Sequence, residues 1–574
     1  MTFFLNNPKT LLLTTSAVFF TALQAQKPVD EKRITRLTND ITYLASDALE
    51  GRQTGSPGEK LSAEYIAGQM KEAGLKPLKN EWFQTFEIIK LRIAKSVCLL
   101  AFVSPTGEAM QLKLNEDFYP ISQSGNADSA EGAVVDCGYG IVLRDSSSRD
   151  DFAASGDLKG NIAAIRLGFA GDSDNPNSPL AAVADINTKI REAIAHGAAG
   201  ILFLPGSSAA QVPKGDLERY AKTLNIPIFY LKKPFKGEFP RGVRMQMKSH
   251  IAVFKATAHN VVGVSGKYKR SKNNIIVCAH HDHLGFNEYG GSRYIGPQAI
   301  HNGADDNASG VAAMLELSRS LKGLKYKKNN LIFVAFSGEE LGLLGSKHFV
   351  QQCPLPKQKI SYVINIDMLG RLDEKSKTLM VNGVGTSPVW KTTLSSIKTD
   401  SNRIRIATAE SGLGPSDHAS FYLEGIPVLH FFSGQHEDYH KPSDDVDKIN
   451  FAGMGAALEV IEQMIAANTG KKKPAFTKTK DVTPGRSNFK VTLGVMPDYT
   501  FTGNGMKLDG VTDGRPAMKS GLQRGDIITR VGEINIGSVS DYMNALSKFE
   551  KGQKAEVSYL RDGKTLTTTV EFYP

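Results

Sequence analysis

Side chains that commonly bind metals recur between residues 280 and 440, and each lies at or just after the end of a strand-like run. In chain order they are His280, Asp282, Asp305-Asp306, Glu339-Glu340, Asp367 and His440. Two imidazoles and three carboxylates, one of them shared, can hold two zinc ions. A spare glutamate beside a ligand can deprotonate the attacking water. The pattern therefore predicts a hydrolytic site with two metal ions.

His280 and Asp282 end an apolar run that is typical of a buried strand. Residues two apart on a strand face the same side, so these two are predicted to share a face while His281 points away. A metal-bound histidine usually donates its other ring N–H to a carboxylate, which is the orienting role that suits Asp282. A surface cluster is the alternative, since His280, His281 and His283 lie together.

Asp305 lies in the segment 303–310, which leads into a predicted helix. An Asp or Asn at such a place is ordinarily a helix cap. Asn307 or Ser309 can supply that cap, which leaves Asp305 free to bridge two metal ions about 3.5–4 Å apart.

Glu339 and Glu340 follow a strongly apolar strand-like run. Two acids left unpaired near a core would be costly, and metal coordination by Glu340 offsets that cost. Glu339 then remains as the general base, able to pass a proton to the leaving amine. The alternative is a solvated helix start, where acids are favoured by the helix dipole. Asp367 and His440 would be unremarkable alone, but five such positions in one region indicate a single site.

The elements that must position these residues alternate between strands and helices from about 256 to 468. Strands are predicted over Ile275 to Ala279, Leu331 to Phe336, Val363 to Ile366 and Pro427 to Phe432, with a helix over Gly310 to Leu321. This alternation is typical of an α/β fold with a doubly wound, mostly parallel sheet, and such sheets place their sites at the carboxyl ends of strands.

With 574 residues the chain is too long for one core, so several domains are expected. The predicted site-bearing domain comprises residues 26–115 and 256–468. Residues 116–255, with short strands between Asp-, Ser- and Asn-rich loops, are predicted to be an inserted domain. Residues 469–486, rich in Lys, Thr and Pro, are predicted to be a flexible linker, and 487–574 a small β-rich unit.

The first 25 residues are predicted to be a signal peptide, with Lys9, an apolar core from Leu11 to Leu23 and a small residue at Ala25. A transmembrane anchor is the alternative, but the run is short for one. No later stretch is long and apolar enough to span a bilayer, so an exported protein, periplasmic or secreted, is expected.

The net charge of +10 comes from scattered basic residues without interleaved aromatics, which argues against nucleic-acid binding. The four cysteines match no zinc or haem spacing, and their disulfide pairing is left open by the sequence. Cys278, inside an apolar strand, is predicted to be a buried free thiol.

The motifs as a group resemble the co-catalytic di-zinc aminopeptidase family, which includes the glutamate carboxypeptidases and the catalytically dead transferrin receptors. The resemblance covers most of 45–110 and 256–468. Its carriers are Ala279-His280-His281-Asp282-His283-Leu284-Gly285, Gly303 to Gly310, Ser337 to Gly342, Asn365-Ile366-Asp367, Ser416-Asp417-His418 and Asp438-Tyr439-His440.

The resemblance implies two zinc ions per chain. It implies that His280 and Asp367 hold one ion, that Glu340 and His440 hold the other, and that Asp305 bridges them. It also implies that Glu339 is the general acid/base, Asp282 the orienting carboxylate and Tyr439 a group that stabilises the tetrahedral intermediate in some relatives. The triplet Ser416-Asp417-His418 matches a family motif near the pocket. A structural role for this triplet agrees with the resemblance as well as a functional role does.

Two further resemblances concern the other units. The insert at 116–255 looks like a protease-associated (PA) domain, judged from Gly156 to Ile162 and Ala193 to Leu204. Residues 487–574 resemble a PDZ domain of the bacterial protease type, with Leu493 to Met496 as the carboxylate loop. Thr492 replaces the first glycine of that loop, and the resemblance implies a peptide or protein C-terminus as the ligand of the PDZ groove.

The expected function is that of an exported zinc aminopeptidase that removes N-terminal residues from peptides by means of a water activated by two zinc ions. A carboxypeptidase or another peptide or amide hydrolase on the same scaffold is the alternative, because the metals do not separate them. A binding protein that uses its PA and PDZ domains is a further alternative, which the intact Glu339 and ligand set argue against.

Overall fold

The computed structural model describes residues 30–573, apart from the following positions: 105, 145–148, 171–179, 181–182, 207–211, 214, 216, 218, 220–222, 233–242, 267, 271, 322–328, 480–490, 498–503, 512–513, 538 and 547. The predicted signal peptide at 1–25 lies outside the described residues, as does part of the predicted linker.

The helices are α1 Glu31–Leu44, α2 Pro57–Glu72, α3 Asp151–Ser155, α4 Ile186–Ala195, α5 Gly310–Ser320, α6 Leu344–Gln351, α7 Val389–Ser396, α8 His418–Tyr422, α9 Phe451–Asn468, α10 Pro516–Lys519 and α11 Val539–Leu546. The strands are β1 Leu75–Pro77, β2 Phe83–Ala94, β3 Leu99–Val103, β4 Ala109–Gln111, β5 Phe118–Pro120, β6 Ala127–Asp136, β7 Ile162–Arg166, β8 Gly200–Leu204, β9 Ile228–Leu231, β10 Arg244–Ser249, β11 Ile251–Ser265, β12 Asn273–His280, β13 Asn329–Phe336, β14 Ile360–Ile366, β15 Thr378–Asn382, β16 Arg405–Ala409, β17 Val428–Phe432, β18 Val495–Pro497, β19 Met506–Val511, β20 Ile527–Val531, β21 Ile534–Asn535, β22 Lys554–Arg561 and β23 Lys564–Glu571.

The site-bearing domain is built on a sheet of nine described strands in the order β1-β11-β13-β12-β14-β17-β15-β16, with β2 paired to β11. The central strands β13, β12, β14 and β17 are parallel to one another. Antiparallel pairs of β11 with β13 and of β15 with β17 flank them. The predicted α/β fold is confirmed, and all four predicted strands are present. The sheet was predicted to be mostly parallel, and it is mixed, with its parallel pairs concentrated in the centre.

Helices cover both faces of this sheet, as a doubly wound fold requires. Successive residues of β12 point to opposite faces, so Val277 packs in the core with α1, α2, α5 and α9, while Cys278 packs in the core with α6 and α8. Both residues are fully buried, as strands covered on both faces should be. The thiol of Cys278 is free, as predicted, and donates to Asn365 Oδ1 at 3.3 Å. The other three cysteines are free as well.

Strands β2 and β11 form a long antiparallel ribbon that leads from this sheet to a second sheet. The second sheet has eight described strands in the order β4-β3-β10-β6-β7-β8-β9-β5. Its strand β10 pairs with β3 at Leu99–Val103, so the second sheet begins earlier in the chain than the predicted boundary at residue 116. Local patterning cannot reveal this boundary because the pairing joins strands about 140 residues apart.

The last unit contains six described strands in the order β18-β19-β20-β22-β23, with β21 on β20, around its own core. The segment before this unit was predicted to be a flexible linker, but part of it is hydrogen-bonded to the site-bearing domain. Thr477 N–H donates to Thr386 O at 2.9 Å, and Thr479 N–H donates to Tyr422 Oη at 3.0 Å. Across the described residues, none of the helices has the length and hydrophobicity required to cross a membrane.

Candidate metal centre

The ends of three adjacent parallel strands position the centre. Strand β12 ends at His280, β14 is followed at once by Asp367, and β13 ends three residues before Glu339. Because β12 lies between β13 and β14, these side chains converge at one edge of the sheet. His440 reaches the same place from the loop that follows β17.

Two groups of nitrogen and oxygen atoms meet there and share one carboxylate. In the first group, His280 Nε2 lies 3.2 Å from Asp367 Oδ1 and 3.3 Å from Asp306 Oδ1. In the second, His440 Nε2 lies 3.2 Å from Asp306 Oδ2 and 3.3 Å from Glu340 Oε2. The two oxygens of Asp306 thus face different groups, which is the geometry of a ligand shared by two metal ions.

His283 belongs to the second group as well. Its Nδ1 lies 2.8 Å from Glu340 Oε1 and 3.9 Å from Asp306 Oδ2. His283, Asp306 and Glu340 are close enough together to hold one ion, as are His280, Asp306 and Asp367. The sequence alone places His283 in a cluster of histidines but does not predict it as a metal ligand.

The placement of Asp305 contradicts its predicted bridging role. Its Oδ1 accepts hydrogen bonds from Gly370 N–H at 2.5 Å and from the Ser309 hydroxyl at 2.9 Å. Its Oδ2 lies 3.2 Å from His436 Nε2. Asp305 therefore points away from both groups, and Asp306 takes the shared position. The segment runs through non-helical φ and ψ angles at Asp306, so the spacing rules of a regular helix start do not apply.

Asp444 holds this segment by its backbone. Its carboxylate accepts hydrogen bonds from Asp305 N–H and from Asp306 N–H, both at 3.0 Å. Burial raises the pKa of Asp444 to about 6, although His436 opposes that shift. Asp444 thus fixes the direction in which each of the two aspartates leaves the chain.

Arg52 holds the backbone next to the centre by hydrogen bonds from its guanidinium. Its guanidinium donates to three backbone carbonyls, those of His281 at 2.8 Å, Asn302 at 2.7 Å and Gly303 at 3.0 Å. It also donates to the carbonyl of Leu44. Because Arg52 is only 1% exposed, burial lowers its pKa to about 10. One buried cation therefore ties together the two segments that carry His280 and Asp306.

Glu339 and Asp282 lie side by side. Asp282 Oδ1 accepts a hydrogen bond from Glu339 N–H at 3.1 Å, and Oδ2 accepts one from the Thr54 hydroxyl at 2.7 Å. The predicted contact from His280 Nδ1 to Asp282 Oδ1 is longer, at 3.8 Å, and the nearer acceptor is the backbone carbonyl of Asp282 at 3.2 Å. Burial raises the pKa of the Glu339 carboxyl well above its usual value, and Glu340 adds to the shift. A raised pKa suits a group that must take up a proton.

Tyr439 stacks on His440 with ring centroids 3.9 Å apart, and the guanidinium carbon of Arg293 lies 5.1 Å from the centre of its ring. Burial raises the pKa of its hydroxyl well above the usual value, and Asp306 reinforces this effect. Tyr439 therefore stays protonated and can donate a hydrogen bond.

The triplet 416–418 lies behind the site. The Ser416 hydroxyl accepts a hydrogen bond from Asn365 Nδ2 at 2.8 Å, and His418 stacks on His430 with centroids 4.5 Å apart. Asp417 is fully buried, and burial raises its pKa to about 7. None of these side chains joins the two candidate metal groups of the described residues.

The charge balance of the centre suits cations. Burial alone would raise the pKa of Glu340, but the adjacent His440 lowers it to about 2. Burial likewise opposes protonation of His440, yet Glu340 and Asp306 raise its pKa to about 11. Such mutual pairing of buried acids and imidazoles, at the distances of a shared ligand, fits an N/O donor set for zinc.

Comparison with known proteins identifies two segments of the chain. Residues 260–465 match the family model described as Peptidase family M28. Residues 478–572 match the model described as PDZ domain.

Individual relatives match with low identity. The chain is 27% identical over 455 residues to Aminopeptidase YwaD of Bacillus subtilis (strain 168), covering 76% of this chain and 85% of that protein. It is 27% identical over 370 residues to an aminopeptidase of Pseudomonas aeruginosa (strain UCBPP-PA14), covering 63% of this chain and 60% of that protein.

Among solved structures, the aminopeptidase from Aneurinibacillus sp. strain AM-1 gives a TM-score of 0.43 at 23% identity, over 78% of this chain and 96% of that one. The zinc aminopeptidase BSAP from Bacillus subtilis gives 0.42 at 24% identity, over 78% of this chain and 98% of that one.

Proposed function

Because residues 260–465 belong to peptidase family M28 and residues 478–572 form a PDZ domain, we propose that this protein is an exported zinc aminopeptidase that removes N-terminal residues from peptides. The names of two sequence relatives, Aminopeptidase YwaD and the aminopeptidase of Pseudomonas aeruginosa, support this proposal. Two zinc ions per chain are part of it.

The observation that carries the proposal is the shared carboxylate of Asp306 between two ligand groups, with Glu339 beside it. His280 and Asp367 would complete one ion's ligand set. Glu340 and His440 would complete the other, with His283 holding Glu340 in place. The ions would polarise the scissile carbonyl and lower the pKa of water.

The protein's own groups then do the proton transfer. Glu339 takes a proton from the attacking water and delivers it to the leaving amine, which requires a carboxylate that gains a proton readily. Asp282 fixes the backbone of Glu339 because its carboxylate accepts a hydrogen bond from the Glu339 N–H. Tyr439, kept protonated by burial, can donate to the oxygen that gains negative charge during the reaction.

The experiment compares an amino-acyl peptide with its Nα-acetylated twin, in zinc-loaded protein and after treatment with a strong chelator. We expect cleavage only of the free-amine peptide, lost with the chelator and restored by added zinc. Equal cleavage of the acetylated twin would reject the aminopeptidase and favour a carboxypeptidase or endopeptidase. Elemental analysis that found at most one ion per chain under saturating zinc would reject the paired centre.

Export is a separate part of the proposal. It rests on the apolar run from Leu11 to Leu23 and the small residue at Ala25. N-terminal sequencing of protein expressed with its natural leader should find Gln26 or a close neighbour as the first residue. An intact Met1 on protein recovered from a membrane fraction would contradict the signal-peptide assignment.

A further inference from the structure

The ring of His440 is oriented by a backbone carbonyl. Its Nδ1 lies 2.9 Å from Gly291 O. A carbonyl oxygen can only accept a hydrogen bond, so Nδ1 carries a proton and donates it to Gly291. In a neutral ring the lone pair then lies on Nε2, the atom that faces Asp306 and Glu340. This contact therefore fixes both the tautomer and the ring orientation that a metal ion requires.

The carbonyl of Gly291 belongs to an exposed turn, residues 291–293. Gly291 has a φ of +104°, a conformation that glycine adopts without strain. Two residues later, Arg293 N–H donates to His440 O at 3.0 Å. The turn 291–293 thus holds His440 at its ring and at its main-chain carbonyl, so the position of this ligand depends on the position of the turn.

Ser292 links the turn to the protein interior through His301. The Ser292 hydroxyl lies 2.7 Å from His301 Nε2, and His301 is 2% exposed. The other ring nitrogen, Nδ1, faces two carbonyl oxygens, those of Ala299 at 3.1 Å and Gly285 at 3.3 Å, so Nδ1 carries a proton. Burial lowers the pKa of this ring, which leaves Nε2 to accept the hydrogen bond from Ser292. One serine hydroxyl therefore connects the exposed turn to a buried imidazole.

We infer that Ser292 and His301 are positioning residues for the zinc ion held by His440, a role that rests on the proposed zinc centre. They act through the carbonyl of Gly291. Without the Ser292 hydroxyl the turn loses its bond to His301, the carbonyl is no longer held beneath Nδ1, and the imidazole of His440 is free to turn away from the metal. Outer partners of this kind orient a metal-bound histidine although they never touch the ion.

The effect is expected chiefly on one of the two ions. Nε2 of His440 adjoins Asp306 and Glu340, whereas His280 and Asp367 of the other group lie at or directly after the ends of β12 and β14. Rigid strand ends hold those two ligands independently of the turn. The ion beside His440 should therefore be weakened, and the other should change only as far as the shared Asp306 couples the two.

The test measures both zinc dissociation constants of the full-length protein by competition with a chromophoric chelator. Ser292→Ala should weaken one ion by about tenfold or more, the lower end of the range of about 10–100-fold for outer partners of metal ligands. Ser292→Thr keeps the hydroxyl and should bind both ions as the parent does. The matched control is Ser520→Ala, which removes a half-buried, hydrogen-bonded hydroxyl of the PDZ domain and should leave both constants unchanged.

A double-mutant cycle with His440→Ala shows whether Ser292 acts through that histidine. In the His440→Ala background, Ser292→Ala should cause no further loss of zinc affinity, because no ring remains to be oriented. His301→Phe should reproduce the loss seen in Ser292→Ala. Thermal unfolding of the zinc-free proteins shows which variants are folded, and the Ser292 pair decides the outcome if His301→Phe is not.

Several results would overturn this assignment. They are parent-like zinc constants in Ser292→Ala, an equal loss for both ions, and full additivity with His440→Ala. A lower melting temperature of zinc-free Ser292→Ala with parent-like constants would assign the hydroxyl to the fold alone. A parent protein that bound a single ion would reject the paired centre, whereas the positioning role would stand if that ion showed the expected loss and non-additivity, so the two failures are distinguishable.

Discussion

The exchange of Asp305 for Asp306 as the shared ligand gives a matched pair of variants, Asp306→Asn and Asp305→Asn. Both remove one charge and preserve size, at adjacent positions of one segment. Asp306 is 3% exposed and has its two oxygens 3.3 Å from His280 Nε2 and 3.2 Å from His440 Nε2. Asp305 is fully buried and instead accepts from Gly370 N–H and the Ser309 hydroxyl.

The expected magnitudes follow from these contacts. Removing one charged member of a buried ionic cluster costs about 3–5 kcal/mol. At about 1.4 kcal/mol per tenfold, Asp306→Asn should weaken zinc binding by a factor of about 100 to 1,000 or more. Both ions should be affected, because both ligand groups use this side chain. Asp305→Asn retains an acceptor oxygen for Gly370 and Ser309 and should keep both ions. It replaces the oxygen that lies 3.2 Å from His436 Nε2, so it should lose about 1–3 kcal/mol of folding stability.

The assay is competition for zinc against a chromophoric chelator, with elemental analysis after dialysis and thermal unfolding of the chelated protein. The chelated protein separates stability from metal affinity. If Asp305→Asn lost both ions while Asp306→Asn kept them, the placement of these two side chains would be refuted.

Further predictions concern the base, the PDZ domain, acid stability and Arg52. Glu339→Gln should keep the metal ions but lower turnover by about 10²–10⁴-fold, and near-normal turnover would contradict its role as the base. A protein that ends at residue 479 should cleave small amino-acyl substrates nearly as well as the full chain, since the metal groups lie before residue 441; loss of this activity in a folded, zinc-loaded truncation would show that the PDZ domain helps to build the site. Burial lowers the pKa of His430 from 6.5 to about 4, so its contribution to stability is complete above pH 6.5 and is lost as the pH falls toward 4, about 3 kcal/mol in all. The chelated protein should therefore melt earlier with falling pH in this window, and His430→Asn should reduce that slope; an unchanged slope would reject the assignment. Arg52→Met leaves buried carbonyls without donors and should lower the free energy of unfolding by at least about 3 kcal/mol, whereas unaltered denaturant unfolding would contradict the role of Arg52.

The strand ends could be predicted from the sequence because the signal is local. Apolar runs that stop at His280 and Ile366 mark the carboxyl edges of buried strands, and polar residues directly after them converge in a parallel sheet. The burial of Cys278 could be predicted from the same pattern, because a thiol within such a run must be buried.

The identity of the shared ligand, the role of Arg52 and the extent of the second sheet could not be predicted. They depend on distant parts of the chain or on irregular backbone. Two adjacent aspartates look equivalent in sequence, and the direction of each is set by Asp444, about 140 residues away. Nothing in the residues around Arg52 indicates its role, because its hydrogen-bond partners His281 and Gly303 lie about 230 to 250 residues later. The extent of the second sheet likewise depends on the pairing of β3 with β10.

The ribbon of β2 and β11 makes the second sheet a replaceable module. Ala94 and Ile251 are opposite partners at the far end of that ribbon, so the chain leaves and re-enters the ribbon at neighbouring points. A two-residue β-turn between them would close the ribbon into an ordinary hairpin and excise more than 150 intervening residues. Because closing a loop depends only weakly on its length, an insertion of this kind adds little entropic cost to the host sheet. The peptidase scaffold can therefore gain, lose or exchange such a domain at this hairpin while every strand that carries the metal-binding side chains keeps its neighbours.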